Sequence, residues 1–178
     1  MKENFLLSLK HMLEHEGGFQ NDPRDPGNKL PDGRAGSTML GVTQASWESF
    51  VGKRVTQEKM KQLTVHDVAP IYKKKYWDAV KGDSLPTGLD YLMFDFAVNA
   101  GPGRAIKLMQ ECLQVTADGV IGRITLKAIA ETDPHEVIER FSDRKEEYYK
   151  SLKHFETYGK GWLRRVAEVK VNASEMLA

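Results

Sequence analysis

A helix-breaking tetrapeptide near the start of the chain, EGGF at Glu16–Phe19, constrains the fold more than any other feature. Apolar side chains recur at helical spacing before it and predict one amphipathic helix from about Glu3 to His15. The paired glycines end that helix, since glycines break helices and permit unusual backbone angles. The following segment, Asp22–Gly36, contains tandem Asx-Pro turns and predicts an irregular loop. The sequence thus places a carboxylate at the end of a buried helix, beside a polar loop.

A second carboxylate, Asp25, follows Glu16 by nine residues and lies in that loop. Glycosidic cleavage needs an acid that protonates the leaving oxygen and a second group that serves the cationic ring or the attacking water. Desolvation at the hydrophobic helix would keep Glu16 protonated, whereas Asp25 in a polar loop would stay ionised. Thr38, on the far side of the loop, offers a hydroxyl that could hold the water. On spacing alone, a solvated glutamate and a turn-forming aspartate are the alternative.

The composition is that of a globular protein with a real core: 178 residues, 40% hydrophobic and 29% charged. A net charge of +1 gives no global attraction to nucleic acid or membranes, and we expect no nucleic-acid partner. The apolar run Phe5–Leu9 is too short for a signal-peptide core or a membrane span, so we expect a protein made in the cytoplasm. The single cysteine, Cys112, lies in an apolar helical pattern that indicates a buried structural thiol.

Helical patterns dominate the remaining chain and predict eight or nine helices, with at most a small β-hairpin near Met39 to Val42. The most apolar segment, Leu89–Ala100, predicts the central core helix. A final helix is predicted with an apolar stripe formed by Trp162, Val166, Val169, Ala173 and Met176. N-caps are predicted at polar residues that precede apolar runs: Thr43, Thr56, Thr64 with Asp67 in a capping box, and Asp133 before Pro134.

Several segments together resemble glycoside hydrolase family 108, whose members are N-acetylmuramidases, many of them phage endolysins. They are EGGF at 16–19, NDP at 21–23, DPG at 25–27, TMLGVT at 38–43, YWD at 76–78 and DFAVNAGPGRA at 95–105. The segment ADGVIG at 117–122 resembles the helical peptidoglycan-binding segment that usually completes such proteins. Two features depart from the family pattern: Asn28 replaces a glycine, and about eight extra residues, Lys29–Gly36, precede Thr38.

The resemblance implies a mainly α, lysozyme-like fold, a compact helical body with at most a small β-hairpin near the active site. Residues 1–101 would form the muramidase region with the cleft, and residues 102–178 a peptidoglycan-binding-type region packed against it. The implied reaction is hydrolysis of the β-1,4 bond between N-acetylmuramic acid and N-acetylglucosamine. Glu16 would be the general acid, and Asp25, helped by Thr38, would orient the water or stabilise the cationic ring.

Four further residues are candidates for substrate binding: Thr43, Tyr76, Trp77 and Asn99. Tyr76 and Trp77 could stack on sugar faces or could equally anchor a helix end in the core. Asn99 lines the cleft or caps the central helix. No cofactor is implied, and no metal site is predicted, because His11 and His15 lie four residues apart without a third ligand.

The expected partner is the peptidoglycan glycan strand, and we expect a monomer. The final helix carries Lys160, Arg164, Arg165 and Lys170 opposite its apolar stripe. Contact of this basic face with an outer membrane is therefore one hypothesis, although packing on the body is the commoner fate of such a helix. As a phage protein, the chain would wait in the host cytoplasm for a holin-type pore; a secreted bacterial effector also fits.

Two other functions fit the same residues. A lytic transglycosylase cleaves the same bond with one acid, but the muramyl 6-hydroxyl attacks and an anhydro sugar results. A non-catalytic wall-binding module would only grip the glycan, and Glu16→Gln would then leave its function unchanged.

Overall fold

The computed structural model describes residues 2–177, and most of them are α-helical, as predicted. None of the helices in this range is both long and apolar enough to cross a membrane. The described residues form nine α-helices: α1 Lys2–Leu13, α2 Gln44–Val51, α3 Gln57–Lys61, α4 Val65–Tyr72, α5 Leu89–Ala100, α6 Pro102–Cys112, α7 Arg123–Glu131, α8 Pro134–Lys150 and α9 Phe155–Met176.

The predicted N-caps are confirmed. Thr43, Thr56 and Thr64 each accept a hydrogen bond from the backbone N–H three residues later. Asp67 completes the capping box, because its carboxylate accepts the Thr64 N–H at 2.8 Å. Asp133 caps α8 by accepting the N–H of His135. Each bond satisfies an N–H group that the helix itself leaves without a partner.

Two helix boundaries differ from the predictions. α1 ends at Leu13 rather than His15, because the N–H groups of His15 and Glu16 reach back three residues instead of four. In the sequence, Pro70 predicts either a kink or a late start of its helix. The late start does not occur, since α4 begins at Val65 and includes the proline. A wider π-helical turn over Lys73–Trp77 follows its end.

The sheet is larger than the predicted hairpin and has three short antiparallel strands: β1 Phe19–Gln20, β2 Thr38–Met39 and β3 Val42–Thr43. The predicted hairpin is formed by β2 and β3, with Thr38 opposite Thr43. The unpredicted third strand, β1, adds to it with Gln20 opposite Thr38. The hairpin turn consists of Leu40 and Gly41, both with positive φ (50° and 74°), the sign pattern of a type I′ turn.

Packing contacts divide the chain into two units. We call residues Leu9–Lys73 the sheet unit, and Met1–Ser8 together with Lys74–Ala178 the helical unit. The core of the helical unit is α5, whose residues 89–97 are all buried, as predicted for the central helix. It packs against α6, α8 and α9. These packing units differ from the predicted sequence regions 1–101 and 102–178, since α5 belongs to the helical unit. The division into those two regions stays a prediction.

The final helix packs its apolar stripe on this core. Val166, Val169 and Ala173 are buried, and Trp162 and Met176 pack beside them. The prediction that Arg165 lies on the basic face is wrong. Its guanidinium is mostly buried and bonds Asp95 Oδ1 at 2.9 Å. The apolar stripe of α9 is therefore covered by the body of the protein, which is the alternative to membrane contact. Contact of the helix with an outer membrane stays a prediction.

A buried charge cluster joins three helices of the helical unit. Asp95 on α5 is fully buried, and its Oδ2 lies 3.7 Å from the Nζ of Lys145 on α8, which is also buried. Arg165 on α9 bonds the other oxygen. Burial lowers the pKa of Lys145, and the charge of Asp95 opposes that shift. One carboxylate therefore faces two cations inside the helical unit.

Asp95→Asn is expected to lower the free energy of unfolding by about 3–5 kcal/mol, because Lys145 and Arg165 both lose the attraction of the buried Asp95 charge. The pKa of Lys145 then falls further below 10.5, the ordinary value of an unfolded lysine. Between that lowered pKa and about 10.5 the unfolded state binds more protons than the folded state, so the variant regains stability as the pH rises through this range. Urea unfolding at about pH 7 and pH 9 measures both effects.

The matched control is Glu139→Gln, which breaks the exposed 2.7 Å ion pair with Lys170. It is expected to cost at most about 1 kcal/mol, because solvent screens surface pairs. Equal losses in the two variants would contradict the assigned role of the buried cluster.

Candidate active site

Glu16 lies just beyond α1, in a turn whose N–H groups bond carbonyls three residues back; its own N–H reaches Leu13 at 3.2 Å. Its side chain is partly exposed. Gly17 and Gly18 follow, and neither has a φ in the left-handed region, so the unusual backbone angles expected there are not used. A Cβ at either glycine would meet no atom within 4 Å. These glycines therefore leave open space directly after the carboxylate.

The hairpin turn packs against Glu16. A Cβ added to Gly41 would lie 3.4 Å from Glu16 Oε2 and 2.4 Å from the hydroxyl oxygen of Tyr72. That hydroxyl donates a 2.7 Å hydrogen bond to the carbonyl of Leu40, in the same turn. Tyr72 is buried, so the turn is held between the Tyr72 hydroxyl and the Glu16 side chain. No sequence pattern identified Tyr72 as a site residue, whereas Gly41 lies in the TMLGVT motif.

Asp25 caps a short 3₁₀ turn over Pro26–Asn28. Its Oδ1 accepts the N–H of Gly27 at 2.8 Å, and its Oδ2 accepts the side-chain amide of Gln20 at 2.7 Å. Both donors are N–H groups, so both carboxylate oxygens act as hydrogen-bond acceptors. Asp25 is thus a turn former, which was the alternative to a catalytic role in the sequence analysis. It is also bonded to strand β1 through Gln20.

Thr38 is connected to Asp25 through two side-chain amides. Its hydroxyl donates to Asn28 Oδ1 at 2.8 Å, and Asn28 Nδ2 donates to Gln20 Oε1 at 2.6 Å. Gln20 in turn bonds Asp25. Asn28 is almost fully buried, at 4% exposure. The sheet unit therefore contains all three predicted catalytic residues, with Glu16 at the hairpin turn and the other two on one polar network that sequence reasoning missed.

The extra segment Lys29–Gly36 forms a closed loop. At its stem, the N–H of Gly36 donates to the carbonyl of Asn28 at 2.6 Å. Arg34 ties the loop to α2 through two bonds to Glu48, at 2.8 and 3.1 Å, and these bonds lower the pKa of Glu48. Because its two ends meet, the loop leaves Thr38 close enough to bond Asn28.

The methyl group of Thr43 lies beside Gly27 and Asp25. A Cβ at Gly27 would lie 3.2 Å from the Cγ2 of Thr43 and 3.2 Å from Asp25 Oδ1. The Thr43 hydroxyl caps α2 and donates to Ser46 at 3.0 Å. Its role in binding substrate stays a prediction.

The other three substrate-binding candidates lie in the helical unit. Trp77 is fully buried against Phe5 and Phe94, and its Nε1 donates to Asp83 at 3.0 Å, which agrees with the core-anchor alternative. Tyr76 packs partly buried on the core.

Asn99 is exposed on α5. Its side chain bonds the hydroxyl of Tyr149, whose pKa is raised to about 12 by burial and held back by that bond. Asn99 does not cap the helix, because Gly101 occupies the C-cap position. The cleft role of Asn99 stays a prediction.

The described residues contain no group of three or more His, Cys, Asp or Glu side chains that could hold a metal ion. Cys112 is buried, and burial raises the pKa of its thiol to about 11, so it stays protonated at neutral pH. This environment matches the structural thiol that its apolar sequence pattern indicates.

A groove of about 600 Å³ opens between α6 and α8 of the helical unit. Arg104 lies over the ring of Tyr148, 4.8 Å from its centroid, and Lys107 lies one helical turn further along α6. Arg144 on α8 faces Glu111 on α6 at 3.0 Å. Within residues 2–177, neither Arg104 nor Lys107 has a carboxylate partner at salt-bridge distance. The groove therefore presents two cations and an aromatic face, with the carboxylate of Glu147 also in its lining.

Two family models match successive parts of the chain. A family model described as "Glycosyl hydrolase 108" matches residues 9–101, and one described as "Predicted Peptidoglycan domain" matches residues 104–167. Among solved structures, SagA of Brucella abortus is similar, with 36% sequence identity and a TM-score of 0.81. The match covers 99% of this chain and 97% of that one. No curated protein matches the chain.

Gly41→Ala is expected to destabilise the protein more than Gly33→Ala. Both glycines have positive φ (74° and 87°), so alanine costs about 1–2 kcal/mol of backbone strain at either position. Only at Gly41 would the new methyl also meet an atom, the Tyr72 hydroxyl at 2.4 Å. That overpacking adds about 1–3 kcal/mol, measurable by denaturant unfolding. Equal losses at the two positions would show that the turn does not press on Tyr72.

Proposed function

The chain belongs to the glycosyl hydrolase 108 family and carries a peptidoglycan region, which makes it a peptidoglycan hydrolase, and on that premise we propose that it is an N-acetylmuramidase. It hydrolyses the β-1,4 bond between N-acetylmuramic acid and N-acetylglucosamine. The family resemblance and the mainly α, lysozyme-like fold class inferred from the sequence are both confirmed by these matches.

Glu16 acts as the general acid that protonates the leaving oxygen. One observation carries this assignment: its carboxyl group lies against the Leu40–Gly41 turn of the hairpin whose first strand holds Thr38. The open space at Gly17 and Gly18 gives a bulky polymer access to that carboxyl. A partly exposed acid that lies against a packed turn is shielded on one side and reachable on the other, as a proton donor to a glycan must be.

Asp25 and Thr38 hold the attacking water. Asp25 is oriented by two N–H donors, and these leave further lone pairs on both carboxylate oxygens. Water gives one proton to Asp25 as its oxygen attacks the anomeric carbon. The glycosidic bond breaks at the same time, and the leaving oxygen takes the proton of Glu16. Thr43 and Asn99 are proposed to contact the glycan, together with Tyr76.

The groove between α6 and α8 is proposed to bind the stem peptides of peptidoglycan. Stem peptides carry free carboxylates, and the cations of Arg104 and Lys107 offer them charge-assisted hydrogen bonds. The groove lies within the matched peptidoglycan region, residues 104–167. The helical unit would thereby add wall affinity without taking part in the chemistry.

Two rivals make different products. A lytic transglycosylase uses the same acid but releases anhydromuramic ends. A non-catalytic wall-binding module releases nothing, and its binding is indifferent to Glu16→Gln.

Glu16→Gln is expected to abolish release of muropeptides with reducing muramic ends from purified Gram-negative peptidoglycan. The amide keeps the shape of the side chain but cannot give up a proton, a loss of about 10²–10⁴-fold or more in rate. Mass spectrometry of the released muropeptides measures it. The control is Glu14→Gln, an exposed glutamate in the same turn, which should keep full activity.

Each outcome of this digestion selects one function. Anhydro ends from the wild type would move the chain to the transglycosylases. Equal release by wild type and Glu16→Gln would remove Glu16 from the mechanism. No release by any variant, with wall binding retained, would identify a binding module.

The same two proteins test a proposed endolysin role, in which a phage enzyme waits in the host cytoplasm until a holin-type pore opens. Produced inside Gram-negative cells, the wild type should cause lysis only after the inner membrane is permeabilised, and Glu16→Gln should not. Lysis without permeabilisation would favour an exported effector instead.

The double variant Arg104→Ala/Lys107→Ala is expected to bind sedimented peptidoglycan several-fold more weakly at low salt, since it removes both unpaired cations of the groove. Added salt should reduce the difference, because it screens the lost attraction in the wild type. The control is Lys127→Ala, an exposed lysine of α7 paired with Glu131. Unchanged binding of the double variant would contradict the assignment of the groove.

A further inference from the structure

We infer that Asn28 is a positioning residue that fixes the hydrogen of the Thr38 hydroxyl, so that Thr38 can only accept a hydrogen bond from the attacking water. The inference rests on the proposed hydrolysis and deepens it. We call the two side chains Gln20 and Asn28 the amide relay.

The orientation of both amides is set by one peptide group, the backbone of Asp22. Its carbonyl can only accept, and it accepts from Asn28 at 2.9 Å, so that atom of Asn28 is the Nδ2. Its N–H can only donate, and it donates to Gln20 at 3.0 Å, so that atom of Gln20 is the Oε1. Flipping either amide would place two donors or two acceptors together.

The direction of the remaining bonds follows. Asn28 must present its Oδ1 to Thr38, and a carbonyl oxygen cannot donate, so the hydroxyl of Thr38 must be the donor of this 2.8 Å bond. The hydroxyl hydrogen is thereby committed. The lone pairs of Thr38 Oγ1 are left to accept from a water molecule.

The other end of the relay acts on Asp25. Gln20 must present its Nε2 to the carboxylate and donates the 2.7 Å bond to Oδ2. Every hydrogen bond of the relay between Thr38 and Asp25 therefore points the same way, toward the carboxylate. A water between these two residues finds two acceptors, donates both of its hydrogens, and keeps a lone pair for the anomeric carbon.

Asn28 is also held in place by its backbone. Its N–H donates to the carbonyl of Asp25 at 3.0 Å, and its carbonyl accepts the N–H of Gly36 at 2.6 Å. The side chain is 4% exposed, so solvent does not compete for its amide. A glycine at this position would leave the hydroxyl of Thr38 free to rotate, and it could then donate to the water instead of accepting.

The test is a double-mutant cycle of Asn28→Ala and Thr38→Val, with kcat and KM measured on soluble, uncrosslinked glycan strands. Asn28→Ala is expected to lower kcat by about 10- to 100-fold with little change in KM, because it misaligns the water and not the glycan. Since Asn28 acts through Thr38, the double variant should be no slower than Thr38→Val within about threefold. Losses that multiply would overturn the inference.

Asn28→Asp adds a readout that a purely structural role would not move. Its ionised carboxylate can accept from Thr38 but cannot donate to Gln20 or to the carbonyl of Asp22. Protonation restores one donor, so the ratio of its kcat to that of the wild type should rise as the pH falls. A ratio independent of pH would overturn the inference.

The control is Asn21→Ala, which removes an exposed amide of the same loop that bonds Gln57 at 3.1 Å and should leave kcat within about twofold. All variants are assayed below their measured unfolding temperatures. If the wild type and Asn21→Ala are active and Asn28→Ala is equally active, only this inference fails. If the wild type releases no reducing ends, the proposed hydrolysis itself fails with it.

Discussion

The strands of the sheet unit are only two residues long, so side chains must supply most of the hydrogen bonds that hold the unit together. Strands of this length form few ladder bonds and would not persist alone. Buried polar atoms in the surrounding loop must still be paired. Tyr72 bonds the carbonyl of Leu40, Asn28 bonds that of Asp22, and Gln44 bonds that of Val55 at 2.8 Å. The geometry of the site is therefore only as rigid as these side-chain contacts.

Local features of the fold could be predicted from the sequence because their bonds span only a few residues. The threonine caps and the Asp133 helix start are examples, each made with an N–H two or three residues away. Contacts between distant residues left no such pattern. The hydroxyl of Tyr72 lies 32 positions from the carbonyl it bonds, and Arg165 lies 70 positions from Asp95. The basic pattern of α9 therefore predicted that the guanidinium of Arg165 is exposed to solvent, whereas it bonds the buried Asp95.

The candidate site shows the same division. Residue types and family motifs identified Glu16, Asp25 and Thr38, because the acids and the hydroxyl have chemistry of their own. Asn28 was visible only as a departure from a glycine, since an amide has no role until its partners are known. Trp77 was ambiguous for another reason: an indole that stacks on sugar and one that fills a core have the same sequence pattern, and only burial separates them.

The loop Lys29–Gly36 has a consequence for how such a protein can evolve. Its stem is closed by the bond between Gly36 and Asn28, and its far side is fastened to α2 by Arg34 and Glu48. Residues added or lost between these anchors would change the rim of the protein without altering the spacing of Asp25 and Thr38. Natural selection can thus vary this segment while Asp25 and Thr38, the residues proposed to hold the water, are inherited unchanged.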